Sequence, residues 1–193
     1  GVFARVLLRF EPGEAGSRLV FQNNADAAVP TPFADAVRAG LERARLKGLV
    51  AGFPVIELQA TLTDGAYHEV DSSADAFMTA AKEAFLLLRD RPAVELLEPI
   101  MAVEVTTPDE FMGSIIGDLN ARRGQVEGTD QSGDRQVITA LVPVATMFGY
   151  HNVVMTLTRG RAQVTQLFDH YEPLPLGFSG VPDRFLPAAA MLT

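Results

Sequence analysis

Ile100-Met101-Ala102-Val103-Glu104-Val105-Thr106, followed at once by Thr107-Pro108-Asp109-Glu110, decides the fold of the second half of this chain. The apolar run reads as a strand. The polar run predicts an explicit helix start, with Thr107 as N-cap, Pro108 at the first helical position and Glu110 closing a capping box. Phe111, Met112, Ile115, Ile116 and Leu119 recur at helical spacing as a buried stripe, and Gly124 predicts the stop. Residues 125–129 and 136–142 read as strands joined across Ser132-Gly133-Asp134, a hairpin. Pro143 predicts a second helix through Val144, Met147, Phe148 and Val154, with Met147 and Phe148 expected in the core. Residues 161–168 read as the closing strand. The order β-α-β-β-α-β is that of a ferredoxin-like sandwich.

The first half reads β-β-α-β-α. Val2, Ala4, Val6, Leu8 and Phe10 alternate with Arg5 and Arg9, which predicts a half-buried strand. Glu11-Pro12-Gly13-Glu14 ends it, and residues 18–22 read as the returning strand. Pro30-Thr31-Pro32 opens a helix carrying Phe33, Val37, Leu41 and Ala44, with Gly48 as its stop. Ile56, Leu58, Ala60 and Leu62 form the buried face of a strand over 55–63, and a turn is expected at Thr63-Asp64-Gly65-Ala66. Asp71 or Ser72 is the expected cap of a helix with stripe Phe77, Ala81, Ala84, Phe85 and Leu88. Asp90-Arg91-Pro92 marks a boundary. The chain thus reads as α+β with two domains, 1–92 and 93–175, and an irregular Pro- and Ala-rich tail over 176–193.

Composition narrows the function. The chain has 193 residues, no cysteine and a net charge of −8. Residues 1–90 hold 9 Lys/Arg and 12 Asp/Glu, a net −3, and residues 91–193 hold 7 and 12, a net −5. Neither half is a generic polyanion binder, so any RNA contact must be local. Thiolate zinc sites and disulfides are excluded. No apolar run approaches the ~20 residues of a membrane span. No phosphate loop, zincin or nucleophile-elbow motif occurs, and the three histidines 68, 151 and 170 are scattered. Asp169 and His170 are adjacent on an expected strand and should face opposite ways. A start at Gly1 without Met suggests a piece of a longer protein.

Tyr67-His68-Glu69-Val70-Asp71-Ser72-Ser73 follows the Thr63–Ala66 segment directly. It resembles the signature D-G-S-Y-H-[DE]-V-D-S-S of translation elongation factor G. Gly117-Asp118-Leu119-Asn120 with Arg122-Arg123-Gly124, Met147-Phe148-Gly149-Tyr150, and Phe168-Asp169-His170-Tyr171-Glu172 follow in that family's order. The resemblance covers residues 1–175 and implies the family's fourth and fifth domains. It implies a βαβ-containing first domain with a left-handed crossover, which the usual handedness rule would not suggest, and a ferredoxin-like second domain. It also implies a tip at Gly65, Ala66, Tyr67, His68, Asp71, Ser72 and Ser73 that enters the ribosomal decoding site. A weaker large-subunit contact is implied at Arg122, Arg123, Gly149, Arg159, Gly160 and Arg161.

The expected partner is the ribosome, through ribosomal RNA and the tRNA–mRNA pair. No DNA or membrane partner is expected, and the protein is expected to be monomeric and cytoplasmic. GTP and Mg2+ would belong to a motor domain of the full-length parent and not to this chain. Departures from the family include Ala66 for Ser, Met155-Thr156 for Arg-Ser and Arg159 for Gln. Three functions stay open: a translocase arm, a paralogue acting in ribosome recycling or protection, and a protein-interaction module without RNA contact.

Overall fold

The computed structural model describes residues 1–92 and 94–175, so the tail read over 176–193 lies outside the described residues. They form two compact units, one up to Leu96 and one from Leu97. Each is α+β.

The first unit contains β1 (Arg5–Pro12), β2 (Leu19–Asn23), α1 (Thr31–Lys47), β3 (Leu58–Ala66) and α2 (Ala74–Leu86). The sheet order is β1-β3-β2. β2 does not return along β1 as expected: it pairs in parallel with β3, which is antiparallel to β1. β3 takes the centre because its apolar face, Leu58, Ala60 and Leu62, is almost wholly buried. That face packs against Val37, Leu41 and Ala44 of α1 and Phe77, Ala81 and Phe85 of α2. Burying each large side chain contributes about 1.5–3 kcal/mol.

β3 also runs on through the segment expected to turn. Thr63 is an extra residue opposite the Leu7–Leu8 step, and its hydroxyl donates to the Leu7 carbonyl at 3.1 Å. Beyond this bulge, Asp64, Gly65 and Ala66 pair with Leu7, Val6 and Arg5. The bulge lets the ladder continue to Ala66, so the turn is displaced to residues 69–71. α2 is capped by Ser73, whose hydroxyl accepts the Ala76 N–H at 3.2 Å. Asp71 and Ser72 are engaged elsewhere.

The second unit contains β4 (Leu97–Pro108), α3 (Met112–Ala121), β5 (Gln125–Ser132), β6 (Arg135–Pro143), α4 (Tyr150–Leu157) and β7 (Gln163–Pro173). Its sheet is antiparallel in the order β5-β6-β4-β7, the ferredoxin-like arrangement. Val103, Val105, Ile138, Ala140 and Val142 meet Ile115, Leu119 and Val154 in its core.

Two helix starts differ from expectation. Thr107 is no N-cap: it still pairs with Gln136 in the ladder, and its buried hydroxyl has no hydrogen-bond partner. A 3-10 turn at Asp109–Phe111 precedes α3. Pro143 likewise ends β6 opposite Ile100, and α4 starts only at Tyr150. Gly149 before it is left-handed, φ 71°. Met147 and Tyr150 therefore turn inward, whereas Phe148 is 90% exposed and not in the core.

Gly65 is buried where β3 meets β1, and a Cβ there would collide with Val29 Cγ2 and stand 2.7 Å from the Arg5 carbonyl oxygen. Gly65→Ala should therefore destabilise the first unit by about 1–3 kcal/mol, as overpacking does. Urea unfolding of the variant should show the loss as a lower midpoint.

Candidate functional site

β3 delivers the chain at Ala66 into an exposed loop, Tyr67–Ser73. Tyr67 is anchored: its ring lies 5.9 Å from Phe33, which stacks on Phe77 at 4.7 Å. The loop closes on itself. The Ser72 N–H donates to the His68 carbonyl (3.0 Å), and the His68 N–H donates to Ser72 Oγ (2.9 Å). It is also latched to the strand lead-in, with Phe3 N–H to the Asp71 carbonyl at 2.9 Å and Ser72 Oγ–H to the Phe3 carbonyl at 2.7 Å. His68 itself is 58% exposed, and Glu69 and Val70 are exposed beside it. Gly65 is buried beneath the loop, so its small size serves packing within the unit. The loop is ordered by its own hydrogen bonds and presents an imidazole, a phenol edge and backbone groups. Such groups can bind RNA without net positive charge.

The six residues expected on the large-subunit side do not come together. Arg122 donates to Asp118 (2.7 Å) and to the Thr146 carbonyl (2.5 Å), and lies over the Tyr150 ring. Arg123 ends α3 with a left-handed backbone, φ 63°, so that its N–H reaches Asn120 O and the Gly124 N–H reaches Leu119 O. Its guanidinium grips the buried Glu98 carboxylate with both Nη atoms. These two arginines and Gly149 sit at the Ile100 end of β4, tied there through Thr146 and Pro143.

Arg159, Gly160 and Arg161 sit at the other end. Arg135, which pairs with Pro108, donates to the Arg161 carbonyl at 3.2 Å. Arg161 pairs with Glu110 at 2.8 Å and lies over the Phe111 ring. The two ends are roughly 26 Å apart along β4 at a strand's rise per residue. Arg135 is the residue that sequence reasoning missed. It follows the Gly133-Asp134 turn, and nothing local announces a partner 26 positions away. Among the described residues no group of three or more His, Cys, Asp or Glu is placed to hold a metal ion, and no helix is long and apolar enough to cross a membrane.

The family model described as elongation factor G, domain IV, matches residues 1–88, and that of the elongation factor G C-terminus matches residues 95–179. The chain belongs to the elongation factor G family. It is 50% identical over 176 residues to elongation factor G of Hyphomonas neptunium, covering 91% of this chain and 25% of that protein. It thus spans about a quarter of the relative's length. A crystal structure from Thermus thermophilus superimposes with a TM-score of 0.81 at 37% identity, over 89% of this chain and 26% of that one. In this member of the elongation factor G family the tip signature therefore lies in the matched domain IV and the six-residue group in the matched C-terminal part.

His170 corrects one expectation. β7 pairs His170 with Ile100 and Phe168 with Met101, leaving Asp169 as a bulge. Alternation breaks there, and Asp169 turns to its neighbour. The imidazole is held by Asp169 at Nδ1 (2.6 Å) and Glu172 at Nε2 (2.8 Å). Glu172 first and Asp169 second hold its pKa above the ordinary histidine range. A raised folded pKa means that this contribution to stability is full below the unfolded value, about 6.5. It is lost as pH rises through the folded value. NMR titration of the ring protons should show a His170 midpoint that falls in Glu172→Gln and in Asp169→Asn.

Proposed function

We propose that this chain is the ribosome-contacting arm of a translational GTPase that promotes movement of tRNA and mRNA. The tip loop would enter the decoding site of the small subunit, with His68 and Tyr67 against RNA. The motor, its GTP and its Mg2+ would belong to the rest of the parent protein, a cytoplasmic monomer. The work of this arm is steric and positional: it biases a two-state motion and does not make or break bonds. The observation that supports this reading is the loop itself. Seven residues are cross-braced, latched to Phe3 and capped into α2, yet expose His68. Order with exposure at a loop tip suits recognition, since little conformational freedom remains to be lost on binding.

The exposed cations follow the same logic. With Arg122 and Arg123 engaged inside the second unit, the large-subunit contact falls to the exposed Arg159, with Arg161, which is also paired with Glu110, and the half-buried Arg135 bonded to the Arg161 carbonyl. That is a small local basic point on an acidic chain, enough for a position-specific contact with RNA.

A toeprint of mRNA on pre-translocation ribosomes, with the full-length parent and GTP, tests the proposal. A one-codon shift is expected. His68→Ala should slow it roughly ten-fold with GTP hydrolysis intact, because one stacked or hydrogen-bonded contact is worth about 1–3 kcal/mol. Ribosome binding without any shift would replace the translocase with a recycling or protection factor. Absence of ribosome binding would leave a protein-interaction module.

A further inference from the structure

His68 Nδ1 faces two backbone hydrogens. The Val70 N–H and the Asp71 N–H both point at it, each at 3.3 Å. The peptide plane fixes those hydrogens, so Nδ1 can only accept them. A neutral imidazole that accepts at one nitrogen carries its proton on the other. The competing arrangement places a proton on Nδ1 and directs it at Asp71 Oδ2, 3.4 Å away. It would set that hydrogen against the two backbone hydrogens and forfeit both bonds.

The loop closure that creates this geometry runs through one hydroxyl. Ser72 Oγ accepts the His68 N–H, and because the Phe3 carbonyl has no hydrogen, Oγ must donate to it. Ser72 thereby fixes the His68 backbone on one side and the strand lead-in on the other. Without it, the turn that brings Val70 and Asp71 under the ring loses both of these ties and is left with the Ser72 N–H to His68 carbonyl bond, the Phe3 N–H to Asp71 carbonyl bond, the Gly1 to Asp71 ion pair and the ring's own contacts with Val70 and Asp71.

We propose that the tip presents His68 to RNA as a neutral Nε2–H donor, with Ser72 as the positioning residue that holds this tautomer. The proposal rests on the decoding-site reading above and specifies its chemistry. The ligand atom must be an acceptor: a phosphate oxygen, a 2′-oxygen, or a carbonyl or ring nitrogen of a base. A neutral donor needs no cationic surroundings, which suits a chain of net charge −8. The two halves of the imidazole have separate mimics. Asparagine offers an acceptor near Nδ1 but no donor near Nε2. Glutamine offers a donor near Nε2 but no acceptor near Nδ1.

Two-bond proton–nitrogen NMR of this chain with labelled histidine, at about pH 8, reads the tautomer directly without a ribosome. Expected are limiting shifts for His68, bare Nδ1 and protonated Nε2, while exposed His151 shows the solvent-averaged mixture. A protonated Nδ1, or His68 averaged like His151, would overturn the proposal. Ser72→Ala should move His68 toward the average and Ser72→Thr should restore it, with His170 in the same spectra reporting the fold. An unchanged tautomer in Ser72→Ala would remove Ser72 from the role. In the full-length parent, His68→Gln should retain at least several-fold more translocation than His68→Asn. Equal losses would contradict the outward donor. If the unmodified parent moves no mRNA, the decoding-site reading fails instead, and the NMR result stands separately.

Discussion

The tip loop lies where it does because β3 does not stop at Leu62. The extra residue Thr63 absorbs the change of register against β1, and the ladder then continues to Ala66. Continuation requires that residue 65 have no side chain, because Val29 and the Arg5 carbonyl occupy the space. Two consequences follow. The loop leaves the sheet from Asp64–Ala66, which the ladder to β1 holds up to its last residue. Its far end is capped by Ser73 into α2, whose Phe77 stacks on Phe33, the ring that also anchors Tyr67. Both helices and the loop thus share one aromatic cluster, and moving the loop would disturb the core beneath it.

The second unit uses its arginines differently. A net charge of −8 leaves few cations, and burial claims some of them. Arg122 stitches α3 to the turn before α4, where the Thr146 hydroxyl returns the bond to the Arg122 carbonyl at 2.7 Å. Arg123 neutralises Glu98, a buried carboxylate that would be costly alone. The clamp on Thr146 and the left-handed Gly149 together hold Phe148 outward on a firm base. At the other end Arg161 is shared between Glu110 and the Phe111 ring, while Arg159 is exposed. Arg161 is thus held as the opposite pair is, and Arg159 stands exposed beside it.

Periodicity made the second fold legible, because six elements of ordinary length follow one another with clear turn residues. It failed where one residue served two elements. Thr107-Pro108-Asp109-Glu110 has the composition of a capping box, yet pairing with Gln136 and Arg135 holds its first half in the sheet. Sheet order in the first half was hidden for a similar reason. Nothing local states that β2 crosses over to lie on the far side of β3. The bulges at Thr63 and Asp169 were also invisible, and both matter: one places the loop and the other gives His170 its carboxylates. The tip residues themselves were legible only through resemblance. Their chemistry, above all the acceptor role of His68 Nδ1, needed the backbone hydrogens of Val70 and Asp71.

Proximity cleavage measures where this loop goes. This chain has no cysteine, so Glu69→Cys in an otherwise cysteine-free parent gives a single attachment point for a tethered iron chelate beside His68. On ribosomes trapped with the factor bound, hydroxyl radicals should cut small-subunit RNA around the decoding site and little elsewhere. Cuts confined to the large subunit, or none above the untethered control, would contradict the account.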